Sequence, residues 1–345
     1  MCNTGLVSII SPCYNVAPYL PYFFESLLGQ TYRRLEIIIV NDGSTDNTDQ
    51  VIKEWLPRLE NTGYLTKYIV KENGGQSSAI NLALQYFTGE FLTWPDPDDF
   101  LFPDSIKERV EFLLKNNKFG IVRSAADVYH EADREKVVGH LHAKKTVISA
   151  KDFFEDVVFA RTYFAPICYM VRSSAFIATI PSRRIYSRKD AGQNWQMLLP
   201  VAAKFDCGYL PTSLCGYLIR NNSHSHAAND LVEKLNYLNM CLDVLQRTLR
   251  PMNLWNNKYE KALNIQYSTK RYHIGLNFKN YNLVSSELQY LDKLNGLTLI
   301  QKVIKVLCIR AVVFYEIVVP IWILFQLLAL NIRTMVIKLK VRLFG

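Results

Sequence analysis

Apolar positions along the first 125 residues alternate between two periods. Leu6–Ser11 is a short apolar run closed by Pro12. Leu20, Phe23, Phe24, Leu27 and Leu28 follow at the i, i+3, i+4, i+7, i+8 spacing of a one-sided helix. Leu35–Val40 repeats the strand pattern and ends in Asn41-Asp42-Gly43-Ser44-Thr45-Asp46, after which Ile52, Trp55, Leu56 and Leu59 mark a second helix. Tyr68–Val70 ends at Asn73-Gly74-Gly75 and precedes Ile80, Ala83, Leu84 and Phe87 at helical spacing. Phe91–Trp94, an acidic turn, and a helix carrying Ile106, Val110, Leu113 and Leu114 complete the series. Strand–helix units with continuous apolar strands predict an α/β fold whose mostly parallel sheet is covered on both faces. In such sheets ligands bind at the carboxyl ends of strands. Asn15, Asp42, Asn73 and Asp96 all fall at those ends.

Beyond residue 125 the pattern is irregular, with candidate strands at Ile167–Val171 and Gly216–Ile219. Leu231, Leu235, Leu238, Leu242, Leu245 and Leu249 then alternate steps of four and three over about three heptads. Asn236 and Asn239 lie close to that stripe, so a helix packed on its own domain is expected rather than a coiled coil. Ala311–Ile332 is long enough to cross a bilayer, for which about 20 apolar residues suffice. Glu316, Pro320, Gln326 and Asn331 count against a span, because a charge in the hydrocarbon is costly. A helix lying in the membrane interface is the preferred reading, ahead of a span or re-entrant hairpin and of ordinary core. Ile337–Leu343 alternates apolar residues with Lys338, Lys340 and Arg342, which also suits a surface-bound tail.

Charge sharpens that picture. The 345 residues carry a formal net charge of +9. Seven basic residues and one acid lie from Lys302 onward, so the apolar tail alone holds six of the nine. A basic rim around apolar sequence fits an anionic membrane surface and argues against nucleic acid as the partner. Met1–Leu6 lacks a basic segment followed by an apolar one, so no secretory signal is expected there. Seven cysteines, scattered and without any CxxC pair, point to a reducing compartment rather than a disulfide scaffold or a zinc site.

The chemistry concentrates in Trp94-Pro95-Asp96-Pro97-Asp98-Asp99. Pro95 and Pro97 forbid continuation of the strand, so three carboxylates crowd onto a stiff turn. Such crowding calls for a cation, and hard divalent ions take one or two carboxylates plus substrate phosphates. The alternative is a solvated acidic turn capping the helix that begins near Asp104.

Four segments in order carry a family resemblance. Val7-Ser8-Ile9-Ile10-Ser11-Pro12-Cys13-Tyr14-Asn15, Glu36 to Asp46, Glu72-Asn73-Gly74-Gly75-Gln76 with Asn81, and the acidic turn as a DxD motif resemble the nucleotide-sugar-binding half of family-2 glycosyltransferases, of the bacterial envelope or exopolysaccharide type. That resemblance implies a GT-A-like, Rossmann-like fold over residues 1–228, with a nucleotide-sugar half at 1–125 and an acceptor half at 126–228. A helical extension at 229–300 and a membrane-associating tail at 301–345 follow. It implies an inverting, metal-dependent hexosyltransferase at the cytoplasmic face of the membrane. A nucleotide sugar, in the family a UDP-sugar, would serve as donor, a glycan or lipid-linked hydroxyl as acceptor, and Mn2+ or Mg2+ as cofactor. Pro12, Tyr14, Asn15, Asp42, Asn73, Gly74, Gln76 and Asp96 would line the donor site, with Asp42 accepting the uracil imide proton. Asp96 and Asp98 would hold the metal, with Asp99 a second ligand or a brace.

One segment departs from the family. Where many relatives carry a Glu-Asp pair before an apolar helix, the Asp acting as base, this chain reads Gln193-Asn194, and an amide takes no proton at neutral pH. Asp190 is the preferred substitute base. His224 or His226, or a purely positioning role for Gln193 and Asn194, are the alternatives. Two other functions stand beside the transferase: a sugar-nucleotide-binding protein without catalysis, and a phosphohydrolase using Asp96 as nucleophile. The second leaves Asp42 and the Asn73-Gly74-Gly75 loop without a role.

Overall fold

The computed structural model describes residues 5–143, 147–220, 230–299 and 301–302. They fall into two compact units, one within Met1–Ala227 and Asn239–Trp255, the other within Ala228–Leu238 and Asn256–Gly345.

The first unit begins as the apolar pattern predicts. Strands β1 (Val7–Cys13), β2 (Leu35–Asn41), β3 (Leu65–Val70) and β4 (Phe91–Thr93) lie in the order β3-β2-β1-β4, all parallel. Every residue of β1 and β2 is buried, which is why both read as continuous apolar runs. Helices α1 (Leu20–Leu28), α2 (Thr48–Asn61) and α3 (Gln76–Ala83) connect them. Helix α1 buries Leu20, Phe23, Phe24 and Leu27, and the Phe24 ring stacks on Trp55 of α2 at 5.7 Å. Each such side chain contributes about 1.5–3 kcal/mol by leaving water, so Phe23→Ala alone would cost about 3–5 kcal/mol. Strand β1 runs past Pro12 to Cys13, and Ser11 Oγ donates to the carbonyl of Pro95 (3.0 Å), fastening β1 to the acidic turn.

Beyond β4 the sheet becomes mixed. The chain continues through β5 (Phe100–Leu101), α4 (Ser105–Lys115), β6 (Phe119–His130), β7 (Asp133–Leu141) and β8 (Val147–Ile148). There follow α5 (Ala150–Val158), β9 (Tyr169–Arg172), α6 (Ser173–Thr179), α7 (Asn194–Ala202) and β10 (Asp206–Ile219). The sheet order is β3-β2-β1-β4-β9-β6-β10-β5, with β7 added to β6 and β8 to β10. Strand β9 lies antiparallel between β4 and β6, whereas β10 runs parallel to β6. The expected strand at Ile167–Val171 therefore starts later. Pro166 opens a 3-10 turn through Cys168, where its fixed φ and missing N–H suit a helical first position.

Helix α8 (Leu231–Leu249) covers the leucine repeat. Its portion from Asn239 onward belongs to the first unit, and Cys241, Val244, Leu245 and Leu249 there are buried. In the second unit, α9 (Asn257–Asn277) and α10 (Tyr281–Lys293) pack where Gly275 meets Val284, and Arg271 pairs with Glu287 at 2.7 Å. No helix among the described residues is long and apolar enough to cross a membrane. Ala311–Ile332, Ile337–Leu343, His224 and His226 lie outside the described residues.

Candidate active site

Three strand-end loops converge at the carboxyl edge of the parallel strands. Asn15, at φ 51°, accepts at its Oδ1 from the Thr45 N–H (2.8 Å), which ties the loop after β1 to the loop after β2. Asn tolerates that left-handed conformation better than most residues. Asp42, only 2% exposed, follows β2. Its Oδ1 accepts from Lys71 Nζ (2.6 Å) and the Gly74 N–H (3.1 Å), and its Oδ2 from the Gly75 N–H (2.7 Å). Asp42 thus braces the Asn73-Gly74-Gly75 loop rather than capping the following helix; Asp46 takes the Thr48 N–H (3.0 Å). Gly43 lies so close to that loop that a Cβ there would sit 2.7 Å from the Asn73 nitrogen.

The acidic turn follows β4. Asp96, Asp98 and Asp99 present carboxylate oxygens within 4.8 Å of one another. Gln76, at the start of α3, donates its Nε2 to Asp96 Oδ1 (2.6 Å), and buried Gln193, just before α7, donates to the same oxygen (3.3 Å). Asp99 Oδ1 accepts from the Leu218 N–H (2.9 Å), while its Oδ2 is buried without a hydrogen-bond partner. Arg220, just past β10, sets its Nε 2.7 Å from Asp98 Oδ2. None of these carboxylates caps α4, whose preceding residue Asp104 instead accepts from Thr31 Oγ1 (2.7 Å).

Burial pushes the Asp96 carboxyl up to about 7, with the charge on Asp98 adding to it and Gln193, Arg220 and Gln76 opposing. Burial raises Asp98 as well, against the pull of Arg220, and it raises Asp99 further, reinforced by both neighbours. The cluster holds more negative charge than its surroundings neutralise.

Residues 8–171 match the family model described as glycosyl transferase family 2. An uncharacterised glycosyltransferase of Rickettsia conorii is 32% identical over 188 residues, covering 52% of this chain and 30% of that protein. Chondroitin synthase of Pasteurella multocida is 38% identical over 117 residues, covering 34% of this chain and 12% of that protein. Residues 8–171 belong to glycosyltransferase family 2. This chain spans about a third or less of the length of these curated relatives.

Solved structures place the fold of this chain in the GT-A class. S. aureus TarS 1–349 in complex with UDP-GlcNAc superimposes with a TM-score of 0.58 at 16% identity, covering 82% of this chain and 81% of that one. Mannosyltransferase PcManGT from Pyrobaculum calidifontis, in complex with GDP-Man and Mn2+, superimposes with a TM-score of 0.50 at 16% identity, over 92% and 82% of the two chains.

In this family-2 domain the donor set suits a hard cation. Asp96, Asp98 and Asp99 offer oxygen ligands only, one Asp99 oxygen is buried without a donor, and burial raises the proton affinity of all three carboxyls.

The residues expected on sequence grounds fall into two groups. Asn15, Asp42, Asn73, Gly74, Asp96 and Asp98 sit in the loops after β1, β2, β3 and β4, and Gln76 opens α3, while Pro12 lies inside β1 and Tyr14 is 44% exposed. Asp190, expected as base, is held by Arg188, whose Nε and Nη2 reach its two oxygens at 2.5 and 2.9 Å. That grip holds its carboxyl below the usual range. Asn194 donates to the carbonyl of Phe164 (3.1 Å), and its Oδ1 is buried without a partner. Sequence reasoning missed Lys71, although a lone cation two residues before Asn73 at the end of β3 was a usable signal. It also missed the clamp between Asn81 and the backbone of Ile185 (2.8 and 2.9 Å), which docks the segment before α7 on α3.

Proposed function

We propose that this chain is an inverting glycosyltransferase that moves a sugar from a UDP-sugar to a hydroxyl of a glycan or lipid-linked acceptor, with Mn2+ or Mg2+ held by Asp96 and Asp98. The observation that carries the reading is the trio of carboxylates within 4.8 Å on the turn after β4. The UDP-GlcNAc bound by TarS supports the choice of nucleotide, and the Mn2+ bound by PcManGT supports the metal. When bound, the ion supplies positive charge to the departing diphosphate as the bond to the anomeric carbon breaks.

The chain's own residues do the rest. Three donors occupy three of the four lone-pair sites of the Asp42 carboxylate, leaving one on Oδ2 for the uracil imide proton. Gln76 and Gln193 keep Asp96 Oδ1 turned into the cluster. Asp190 serves as base once Arg188 passes to Asp243, which its Nη1 already reaches at 3.2 Å. Released, the Asp190 carboxylate recovers the proton affinity that the ion pair suppresses. The basic, apolar tail supports work at the cytoplasmic face of a membrane.

The test is transfer from radiolabelled UDP-sugars to membrane extract in the presence of Mn2+. Asp98→Asn is expected to abolish product, and unchanged turnover would overturn the metal's role. The amides at Gln193 and Asn194 favour one second reading, a sugar-nucleotide-binding protein without catalysis. Tight UDP-sugar binding by calorimetry with no product from any acceptor extract would establish it.

A further inference from the structure

The geometry points to Arg220 as a resident stand-in for the metal: its guanidinium occupies the cation's place on Asp98, gives way when a divalent ion binds there, and turns to the diphosphate that the ion brings. The inference rests on the proposed metal and nucleotide site. Arg220 Nε is 2.7 Å from Asp98 Oδ2, with the two side chains 22% and 14% exposed. No hydrogen bond is formed at that nitrogen, so its N–H is out of line with the carboxylate oxygen. A bidentate, in-plane fork is what a permanent Arg–carboxylate pair adopts. A point-charge contact is what a replaceable cation makes.

The backbone beside Arg220 is held independently of its side chain. Two residues earlier, the Leu218 N–H is bonded to Asp99 Oδ1, so the end of β10 is stitched to the acidic turn through the main chain. Arg220 can therefore leave Asp98 by side-chain rotation alone. Its guanidinium also lies over the Tyr19 ring, 5.2 Å from the centroid, an aromatic face on which the displaced charge can rest. The sequence of charges is self-consistent. An unliganded cluster of three carboxylates holds the Arg220 cation, an incoming divalent ion repels it, and an arriving diphosphate attracts it. Arginine suits this role because it keeps its charge at every working pH and grips phosphate with a planar fork.

Two consequences of opposite sign follow, and they separate this role from a structural one. Mn2+ binding without nucleotide, followed at pH 8 by the loss of the free-Mn2+ electron paramagnetic resonance signal, is expected to tighten at least about fivefold in Arg220→Ala, because a competing cation is gone. UDP binding in saturating Mn2+ is expected to weaken by about tenfold or more in the same variant, with Arg220→Lys intermediate in both measurements. Weaker or unchanged Mn2+ binding in Arg220→Ala overturns the inference, as does a parallel loss of both affinities. If the wild-type chain binds Mn2+ but neither UDP nor GDP, the nucleotide reading fails, and with it the second half of the inference. The metal-only comparison then still decides whether Arg220 competes for Asp98. If the wild-type chain takes up no Mn2+, both fall.

Discussion

Gln76 and Gln193 aim their side-chain amides at one oxygen, Asp96 Oδ1, from 2.6 and 3.3 Å. One comes from the start of α3 in the parallel half of the domain, the other from the threshold of α7. Both stabilise the charged carboxylate, so both keep it available to a cation. Gln76→Ala and Gln193→Ala should each raise the pH at which Mn2+ binding is half-maximal. A pH series of metal titrations checks this, and an unchanged midpoint in Gln76→Ala would refute the arrangement.

A raised carboxyl also makes stability depend on pH. The unfolded Asp96 loses its proton near its ordinary value, the folded one only at about 7, so between those values the folded chain holds more protons. Stability in the absence of metal is therefore predicted to fall as pH rises from about 4 to about 7 and to level off above that. Asp96→Asn removes this group's share, so thermal melts should show a shallower decline over the same window. Added Mn2+ should stabilise the wild type more at pH 8 than at pH 5. An identical pH slope in variant and wild type would contradict the prediction.

The parallel half was legible because its signals are local. β1 and β2 are buried on every residue, α1 carries a clean apolar stripe, and the prolines around Asp96 force the acids onto a turn. The second half hides its strands. β6 contains Arg123 and Ser124, both buried, so a core strand reads as polar; Arg123 is accommodated among the rings of Phe153, Tyr163 and Tyr209. β7 pairs only with β6 and keeps mostly polar, exposed positions, while β10 contains Pro211 and shifts register more than once along β6. In the site, Asp42 and the carboxylate trio could be read from strand ends. The meeting of Gln193, Leu218 and Arg220 with the acidic turn could not, because tertiary pairing of β10 and the placement of α7 create it.

Asp42 carries the structural load of the loop after β3. Replacing it with Asn leaves one acceptor oxygen for three donors and strands Lys71, which is 21% exposed. Breaking a buried ion pair by removing one partner costs about 3–5 kcal/mol. With Lys71 partly wet, Asp42→Asn is predicted near the lower end, about 3 kcal/mol, measured by urea denaturation. Lys71→Met, which removes the cation and leaves the two backbone bonds, should be less damaging. Equal losses would mean the ion pair, and not the loop bonds, dominates.

Gly75 is predicted to be the least replaceable glycine of the site. Its φ is 88°, and a Cβ there would lie 2.3 Å from the Lys189 carbonyl oxygen and 2.7 Å from its Cα. Both are main-chain atoms of the segment that leads to Gln193, so no side-chain rotation relieves the clash. Gly63 supplies the control, with φ 85° and nothing within 4 Å of its Cβ position. Gly63→Ala should cost only the left-handed backbone strain, about 1–2 kcal/mol. Gly75→Ala adds displacement of the 188–193 segment, and with it the contact of Gln193 on Asp96. Its stability loss should exceed that of Gly63→Ala, and UDP binding in Mn2+ should fall at least about tenfold while Gly63→Ala binds as wild type. Matching losses in the two variants would show that the approach of Lys189 to the glycine loop is not what positions the site.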